Sequence, residues 1–452
     1  MNPLSSPLLA DLYQFTMLQS YIEQDMEETA VFELFVRKLP PGRNFMVAAG
    51  LEQVLEFLEN LEFSLEELDW LATRFPPHVI TYLEKIHFDG DVHAMPEGTL
   101  FFPNEPILRI TAKLPQAQLV ESRIINLMHF ETLIASKAAR SVLVAPDKLL
   151  VDFGMRRAHG AEAGLLAARA SYLAGFSGTA TVLAGTLYDI PLFGTMAHSF
   201  IQAHSDESAA FEHFARSHPG NTVLLIDTYD TEAAAHKVVT LAKKLKTEAI
   251  NIKGVRLDSG DLAQHARNVR QILNAGGLED TTIFASGNLD EYQLHALLSA
   301  NAPIDGFGIG TALDISSDAP ALDCAYKLQE YAGKPRRKYS EGKATWPGRK
   351  QVYRNHGSDG YMAGDIVALA ENDPQQGEPL IQPFMQSGKR LHPSPSLHQI
   401  RNQTIANYKR LPISMTAPNP APVYPVTIST ALKTMADQLD RERAMHDREA
   451  AK

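Results

Sequence analysis

From residue 149 to residue 310 the chain alternates short apolar segments with longer amphipathic ones, which constrains its fold more than any other feature. The apolar segments are LLVDFG (149–154), ATVLAG (180–185), GTMAH (194–198), TVLLIDT (222–228), GVRLDS (254–259), TTIFASG (281–287) and IDGFGIG (304–310). The helical patterns between them cover 160–173, 205–216, 231–246, 261–275 and 289–300. Such alternation predicts βαβ units and a parallel sheet. Six or seven units are too few for a closed eight-stranded barrel of about 250 residues, so we predict an incomplete or irregular α/β barrel.

The segments on either side of this region mix helical and strand patterns and predict an α+β domain. Before residue 145, helical patterns cover 4–24, 50–60, 65–85 and 118–144, and strand patterns cover 31–39 and 92–114. After residue 320, strand patterns cover 324–331 and 351–353, and helical patterns cover 395–409 and 428–445. We therefore predict an N-terminal α+β domain (1–145), a catalytic barrel (146–320) and C-terminal strands and helices (321–452) that return onto the N-terminal domain.

Composition narrows the class of protein. With 452 residues, of which 44% are hydrophobic and 21% charged, the chain is typical of a globular protein with two or three domains. No apolar run approaches the about 20 residues of a membrane span, and the first residues do not resemble a secretory signal, so we expect a cytoplasmic protein. The single cysteine, Cys324, excludes an internal disulfide and a CxxC metal site. The net charge of -11 argues against nucleic-acid and membrane partners.

One segment, residues 333–354, concentrates positive charge in this acidic chain. Such a run is usually a solvated surface, but its alternation with Tyr339, Trp346 and Tyr353 also fits an anion-binding wall, and both interpretations stay open. Its basic residues are Lys334, Arg336, Arg337, Lys338, Lys343, Arg349, Lys350 and Arg354.

Charged residues close two of the apolar segments, and we expect them to meet at one edge of the sheet. Arg256 and Asp258 lie two residues apart, so on a strand both side chains project from the same face. Asp227 closes the preceding segment. The carboxyl ends of barrel strands carry catalytic groups, and carboxylates there can hold Mg²⁺ or stabilise a developing positive charge. The alternatives are an ion pair that only closes the strand, or an N-cap formed by Asp258 or Ser259.

Aromatic, basic and histidine side chains close other segments. Phe153 offers a flat apolar face, and Arg156 offers a planar guanidinium for a carboxylate or phosphate, a pair that suits a small aromatic acid. The alternative is a buried phenylalanine with an arginine that caps a helix. The DFG tripeptide is not a kinase motif, because the HRD loop and GxGxxG are missing. His198 can act as acid, base or phosphoryl acceptor, although any one of 16 histidines is more often structural.

Two glycine-rich segment ends are candidates for phosphate binding. Gly287 and Asn288 precede a helical pattern, and GFGIGT ends in Gly308, Gly310 and Thr311. Exposed backbone N–H groups at such turns bind phosphate, often at the last strands of a barrel. Neither sequence matches a dinucleotide or Walker fingerprint.

Together these segments resemble the nicotinate phosphoribosyltransferase family, the type II phosphoribosyltransferases. The similar stretches run in the family's order from about residue 7 to 355: LLADLYQFTM, DFGMRRAHG, SGTATVLAG, GTMAHSF, LLIDTYDT, GVRLDSGDL, ASGNLDEY, IDGFGIGT and YKLQEYAGKPRRKYSEGKATWPGRKQVYR. The resemblance implies conversion of nicotinate and phosphoribosyl pyrophosphate to nicotinate mononucleotide and pyrophosphate in NAD salvage. It also implies Mg²⁺ (or Mn²⁺), ATP hydrolysis coupled through a phosphohistidine, and a homodimer with an incomplete α/β barrel joined to an α+β domain.

The resemblance further implies residues that hold nicotinate. Phe153 and Tyr13 of the partner subunit would sandwich the pyridine ring. Thr195 and Arg256 would contact nicotinate, and Arg156 is a second candidate for its carboxylate.

The remaining implied roles concern catalysis and the phosphates. His198 would be the phosphorylated histidine, and Asp227 and Asp258 would orient the ribose and magnesium, with Arg256 completing the catalytic set. The implied phosphate-binding residues are Gly287, Asn288, Gly308, Gly310, Thr311 and Lys327.

One position bears on the choice of substrate. The nicotinamide-using relatives carry an aspartate where this chain has Ala180. An aspartate accepts a hydrogen bond from an amide but repels a carboxylate, so its absence beside Arg256 favours the acid.

Two other functions stay open at this point. A lyase or isomerase acting on a sugar phosphate would need a catalytic lysine, and Lys253 is the only barrel-strand lysine close to a strand end. A nucleotide-sensing subunit without activity would not need Asp227, Arg256, Asp258 and His198 together.

Overall fold

Two stretches far apart in the sequence build one of the two units of this fold. The computed structural model describes residues 4–340 and 342–450. The first unit extends up to Ser136 and resumes at Ala321, and the second, which we call the barrel unit, is Lys137–Pro320. None of the helices in the described residues is both long and apolar enough to cross a membrane.

The first part of the chain supplies six helices and five strands. The helices are α1 (Leu12–Glu23), α2 (Leu51–Glu59), α3 (Leu65–Ala72), α4 (Pro77–Leu83), α5 (Leu114–Leu119) and α6 (Glu121–Val144). The strands are β1 (Thr29–Val36), β2 (Met46–Val47), β3 (Asp91–Ala94), β4 (Leu100–Phe101) and β5 (Pro106–Lys113).

The region from 149 to 314 has the predicted alternation. Its strands are β6 (Leu149–Asp152), β7 (Gly178–Thr179), β8 (Thr222–Leu225), β9 (Ile252–Leu257), β10 (Thr282–Ala285) and β11 (Gly306–Ile309). Its helices are α7 (Ala161–Leu173), α8 (Val182–Tyr188), α9 (His198–Gln202), α10 (Glu207–Ser217), α11 (Thr231–Leu245), α12 (Leu262–Ala275), α13 (Glu291–Ser299) and α14 (Thr311–Asp314), with 3-10 turns at Met155–Arg157 and Lys246–Glu248.

The last part of the chain is mostly strand. The strands are β12 (Cys324–Tyr331), β13 (Lys334–Pro335), β14 (Lys350–His356), β15 (Met362–Leu369), β16 (Glu378–Pro379), β17 (Gln382–Gln386), β18 (Lys389–Arg390) and β19 (Val426–Ile428). The helices are α15 (Leu397–Tyr408) and α16 (Thr430–Ala450), with a 3-10 turn at Ile413–Met415.

The sheets of the first unit combine both ends of the chain. A seven-stranded sheet has the order β13-β12-β1-β5-β3-β17-β18, in which β1 pairs antiparallel with β5 on one side and with β12 on the other. A second sheet has the order β16-β14-β15-β19, and β2 pairs with β4. β1 is buried along almost its whole length. β12 pairs with the edge of β1 that β5 leaves free, so neither edge of β1 is exposed.

Two predicted helices of this unit differ in extent from the observed ones. The predicted helix 4–24 begins only at Leu12. The predicted helix 65–85 is two helices, because Pro77 occupies the first position of α4 and a proline inside a helix would remove a hydrogen bond.

The barrel unit contains an open parallel sheet with the order β7-β6-β11-β10-β9-β8. Each neighbouring pair is parallel, and helices α11, α12 and α13 connect β8, β9, β10 and β11 in turn. With β7 and β8 at its edges, this sheet is a curled half-barrel. The predicted fold class, an incomplete α/β barrel together with an α+β domain, is therefore confirmed.

Two of the seven predicted strands are wrong. In the predicted strand 180–185, residues 182–185 belong to α8, whose Val182 and Leu183 are exposed, so this short apolar run is mostly helical rather than a buried strand. Residues 194–198 form no strand either, because the carbonyl of Met196 accepts a hydrogen bond from a guanidinium instead of from a neighbouring strand.

Candidate active site

Arg256, at the end of β9, forms hydrogen bonds with several polar groups at this edge of the sheet. Its Nε donates to Ser286 Oγ (2.9 Å) and its Nη2 to Asp258 Oδ1 (3.0 Å). Its Nη1 donates to Thr195 Oγ1 (3.2 Å) and to the Met196 carbonyl (3.4 Å). The side chain is only 14% exposed, so these partners fix the guanidinium plane at the edge of the sheet.

Asp258 is held in its charged form. Burial alone would raise its pKa, but hydrogen bonds from Ser286 and Arg256, and the charges of Arg256 and His198, together lower the pKa below the usual value. Its side chain keeps 31% exposure. The strand face predicted for Arg256 and Asp258 thus carries a carboxylate that is ionised at neutral pH and open on one side.

Asp227 has one oxygen fixed and one free. Its Oδ2 accepts hydrogen bonds from the Asp258 N–H (2.9 Å) and Ser259 Oγ (2.7 Å). Its Oδ1 is buried and has no hydrogen-bond partner in the described residues. A buried carboxylate oxygen without a donor is costly unless a ligand, a cation or water completes it.

His198 lies at the start of α9, beside the two carboxylates. Its Nδ1 is 3.1 Å from Thr228 Oγ1, and its Nε2 is 3.9 Å from Asp258 Oδ2. The side chain is 39% exposed. Because Thr228 engages Nδ1, Nε2 is the nitrogen that faces the carboxylate and remains available for chemistry.

Phe153 forms the apolar wall beside Arg256. The Arg256 guanidinium carbon is 5.4 Å from the centre of the Phe153 ring, within range of a cation–π contact. A Cβ added at Gly308 would come within 2.5 Å of that ring, so the glycine leaves room for it. A Cβ added at Gly310 would come within 3.1 Å of the Phe153 carbonyl oxygen. The ends of β6, β9 and β11 therefore converge around one aromatic ring.

The turn after β10 joins the same cluster. Gly287 has φ +100, and a Cβ there would meet the Asp258 carbonyl oxygen at 2.0 Å, so only glycine fits. Asn288, also with positive φ, and Thr311, at the start of α14, are exposed beside these turns.

The helix N-caps near the site are formed by aspartates other than Asp227 and Asp258. Asp230 caps α11 by accepting from Ala233 N, and Asp261 caps α12 by accepting from Gln264 N. The N-cap predicted at Asp258 or Ser259 is therefore wrong by two or three residues. Asp258 and Ser259 instead bond to Arg256 and Asp227, because the chain makes a further turn through Gly260 before α12 begins.

Arg156 is separate from this network. It is exposed on the 3-10 turn after Gly154, whereas the guanidinium beside Phe153 belongs to Arg256. Lys253, which a lyase would require, is exposed near the start of β9, at the opposite end of the strand from Asp258. Lys253, the lysine on which the lyase alternative depended, is therefore not beside the carboxylates.

Tyr13 and Lys327 lie in the first unit and meet there at Glu121. Lys327 Nζ is 3.5 Å from Glu121 Oε1. Burial and the neighbouring Glu121 raise the pKa of Tyr13 to about 12, so its hydroxyl stays protonated. The residue as a whole is still 45% exposed.

Two polar residues of this arrangement carried no clear sequence signal. Ser286 donates to Asp258 and accepts from Arg256, and Glu121 links Tyr13 with Lys327. In the turn that contains Ser286, only the neighbouring Gly287 and Asn288 were predicted to be functional. Glu121 begins α6 and looked like an ordinary helix-start carboxylate.

Part of the basic segment 333–354 is structural. Among the described residues, four of its eight cations form ion pairs: Arg337 with Asp440, Arg349 with Glu330, Lys350 with Glu33, and Arg354 with Asp365. The pairs of Lys350 and Arg354 are fully buried. Half of the positive charge of this segment is thus neutralised within the first unit.

The donor set at the site limits how a metal could be held. No group of three or more histidine, cysteine or carboxylate side chains in residues 4–340 and 342–450 is arranged for a metal ion. Asp227 Oδ1 and Asp258 offer hard oxygens, which fits Mg²⁺ held by one or two carboxylates, with substrate phosphates and water completing the octahedron.

Comparisons with known proteins cover nearly the whole chain. Three family models match: the nicotinate phosphoribosyltransferase N-terminal domain over residues 8–129, the nicotinate phosphoribosyltransferase family over 149–338, and the nicotinate phosphoribosyltransferase C-terminal domain over 373–436. A nicotinate phosphoribosyltransferase of Mycobacterium tuberculosis is 47% identical over 427 residues, 93% of this chain and 91% of that protein. One from Bacillus subtilis is 40% identical, covering 81% and 76%. The crystal structure of human nicotinic acid phosphoribosyltransferase aligns with a TM-score of 0.85 at 30% identity, covering 95% of this chain and 99% of that one.

Proposed function

The chain belongs to the nicotinate phosphoribosyltransferase family, and from that premise we propose that it converts nicotinate and phosphoribosyl pyrophosphate to nicotinate mononucleotide and pyrophosphate in NAD salvage. The observation that carries this proposal is the Arg256 guanidinium fixed beside the Phe153 ring. An aromatic face next to a cation, with carboxylates beyond it, suits a pyridine ring that carries a carboxylate.

Nicotinate would bind with its ring on Phe153 and its carboxylate at Arg256. The two Nη1 hydrogen bonds, to Thr195 and Met196, are the longest of the guanidinium, so a substrate carboxylate can replace or share them. The exposed Ala180 follows β7, and its N–H donates to the Asp152 carbonyl at the end of β6. A neutral alanine there adds no negative charge against the acid.

The carboxylates would act on the ribose. Breaking the bond between ribose and pyrophosphate builds positive charge on the sugar, which the ionised Asp258 and the free Oδ1 of Asp227 would stabilise. The nitrogen of nicotinate then forms the new bond to ribose C1 as pyrophosphate leaves. The backbone around Gly287, Gly310 and Thr311 would hold the 5-phosphate.

Mg²⁺ or Mn²⁺ would be held by Asp227 and Asp258 together with oxygens of phosphoribosyl pyrophosphate. When bound, the ion neutralises the pyrophosphate leaving group. Without it, these two carboxylates would repel the same anion.

We also propose that His198 couples the reaction to ATP. Its Nε2 would accept the γ-phosphoryl group of ATP, releasing ADP, and water would later release the phosphate. The phosphohistidine would place added negative charge next to Asp258, from which Nε2 is 3.9 Å, and so strengthen cation and phosphoribosyl pyrophosphate binding.

A homodimer would complete the nicotinate site with Tyr13 of the partner subunit. Tyr13 and Leu12 are exposed at the start of α1, and Val182, Leu183 and Leu187 are exposed on α8 of the barrel unit. Exposed apolar groups on both units suit an interface in which α1 of one copy covers the barrel unit of the other.

Pyrophosphate release tests the proposed function. The protein is incubated with phosphoribosyl pyrophosphate and Mg²⁺, with nicotinate or nicotinamide, and with or without ATP. We expect pyrophosphate release that depends on nicotinate and is stimulated by ATP. No release with nicotinate would contradict the proposed reaction, whereas release without ATP stimulation would contradict only the role of His198.

A further inference from the structure

A buried pair of carboxyl groups lies directly beneath the proposed nicotinate site. Asp152 ends β6 and Asp314 ends α14, and both are almost completely buried. A Cβ added at Gly154 would come within 2.2 Å of the Asp314 carboxyl, so that carboxyl packs against the loop that follows Asp152.

The two carboxyls have very different partners. Asp152 Oδ1 accepts from the Gly154 N–H (2.8 Å), and its Oδ2 accepts from Thr179 Oγ1 (2.6 Å). No N–H or O–H donor among the described residues reaches either oxygen of Asp314. Two ionised carboxylates cannot bond to each other, so a hydrogen bond between them requires that one of them keeps its proton.

The partners decide which carboxyl keeps the proton. Asp152 already accepts two hydrogen bonds, which favour its ionised form, whereas Asp314 has none and is the better donor. Burial and the neighbouring Asp152 raise the pKa of Asp314 well above its usual value. Burial also raises the pKa of Asp152, although its hydrogen bonds oppose that shift.

Within residues 4–340 and 342–450, no cation is hydrogen-bonded to either carboxyl of this pair. The charged side chains on the elements packed against it are the exposed Arg156 and Arg157 of the 3-10 turn and Glu162 and Arg169 of α7. One proton is therefore what makes the pair compatible with burial.

Asp152 and Asp314 connect three segments of the proposed site. Through Asp152 they hold the turn that bears Phe153, and through Thr179 they hold the strand end that leads to Ala180, since the Thr181 N–H donates to Thr179 Oγ1. Through Asp314 they hold α14, which begins at the phosphate candidate Thr311.

We propose that Asp314 is a positioning residue, whose protonated carboxyl donates a hydrogen bond to Asp152 and fixes the spacing between the nicotinate-binding Phe153 and the phosphate-binding turn at Thr311. This inference rests on the proposed function for its substrates and goes beyond it by giving a role to a residue that touches neither substrate. An amide at position 314 can make the same donation without a proton to lose.

The experiment compares wild type with Asp314→Asn, Asp314→Leu and the exposed control Asp280→Asn. Denaturant unfolding is measured from pH 5 to pH 9, together with KM and kcat for both substrates. Because folded Asp314 retains a proton that the unfolded chain has released, wild type should lose stability as the pH rises, with its unfolding equilibrium constant increasing up to tenfold per pH unit. Asp314→Asn should remove this slope, and Asp280→Asn should keep it.

The kinetic result distinguishes positioning from mere stability. Asp314→Asn should keep both KM values within about threefold, whereas Asp314→Leu should raise them at least about tenfold with a smaller change in kcat. If Asp314→Leu does not fold, the inference is tested by whether Asp314→Asn loses the pH dependence of the unfolding equilibrium constant. An unchanged slope in Asp314→Asn, or KM values raised about tenfold in that variant, would overturn the inference. An inactive wild type would contradict the proposed reaction alone, since the unfolding slope needs no turnover.

Discussion

Two pairs of carboxyl groups at one edge of the barrel sheet have opposite surroundings. One pair follows β8 and β9, and the other lies at the end of β6 and in α14, which follows β11. Asp258 is partly open, accepts a hydrogen bond from Arg256 and stays ionised, and the partly open Asp227 accepts a hydrogen bond from the Asp258 N–H. Asp152 and Asp314 are buried, no cation in the described part of the chain is bonded to them, and the pair keeps a proton. The same edge of the sheet thus has an ionised carboxylate that a ligand can reach, Asp258, and a buried, protonated carboxyl pair with a structural role, Asp152 and Asp314.

The difference shows that the charged and hydrogen-bonding groups around a carboxyl group, more than its burial, determine whether it is ionised. Glu291, on α13 of the same barrel unit, has a fully buried side chain, yet Lys137 and Arg140 contact it at 2.8 and 2.6 Å. Burial opposes ionisation of Glu291, but the two cations outweigh it and lower the pKa. This cluster anchors the helix that follows the turn at Gly287.

The largest effect should come from Glu291. Glu291→Gln would remove the buried carboxylate that Lys137 and Arg140 share, while Asp318 still contacts Lys137 at 2.8 Å, and should lower the unfolding free energy by about 3 kcal/mol. The control Glu248→Gln, which breaks an exposed pair with Arg216, should cost under about 1 kcal/mol. Denaturant unfolding checks both. A cost for Glu291→Gln no larger than that of the control would show that the cations do not need it.

The same residue sets a pH dependence opposite to that of Asp314. Since the folded pKa of Glu291 lies below its ordinary value, its stabilisation is present above that value and is lost as the pH falls through the folded pKa. Acid unfolding of wild type should therefore be steeper below about pH 4.5 than that of Glu291→Gln. Parallel acid curves would argue against an ionised Glu291.

The open carboxylate should matter for turnover rather than for stability. Asp258→Asn should lower kcat with nicotinate about 100- to 1,000-fold, because the developing charge on the ribose loses its counter-charge. Asp261→Asn, three residues further on, keeps a good helix cap and should stay within about threefold. Steady-state kinetics of both proteins measures the difference, and equal losses would mean that Asp258 is only structural.

Ala180 should control the choice between acid and amide. Ala180→Asp should lower the ratio of kcat/KM for nicotinate over nicotinamide about tenfold or more, since about 1.4 kcal/mol of charge repulsion is enough. Ala180→Asn adds similar volume without charge and serves as the control. An Asp variant that behaves like the Asn variant would show that charge at this position does not select the substrate.

The smallest effect concerns His198. His198→Ala should abolish stimulation by ATP while basal turnover stays within about threefold, because the imidazole is partly exposed and makes a single hydrogen bond. His204→Ala, at a residue that contacts His213 instead, should keep the stimulation. Rates with and without ATP decide, and stimulation that survives in His198→Ala would exclude this histidine as the phosphoryl acceptor.

The sequence could predict what depends on regular spacing. The alternation of segments predicted the half-barrel, and the two-residue spacing of a strand placed Arg256 and Asp258 side by side. It could not separate a strand from a short exposed helix at 182–188, because both are brief apolar runs. The sequence also could not predict that Asp152 pairs with Asp314, because only the folding of β6 beside β11 brings them together.

A crystal structure of the protein with nicotinate mononucleotide tests the central claim most directly. We predict the pyridine ring against Phe153, its carboxylate at hydrogen-bond distance, about 3 Å, from Arg256, and the 5-phosphate on the backbone near Gly310 and Thr311. A nucleotide bound away from this edge of the sheet, or one whose carboxylate lies on Arg156 instead, would contradict it.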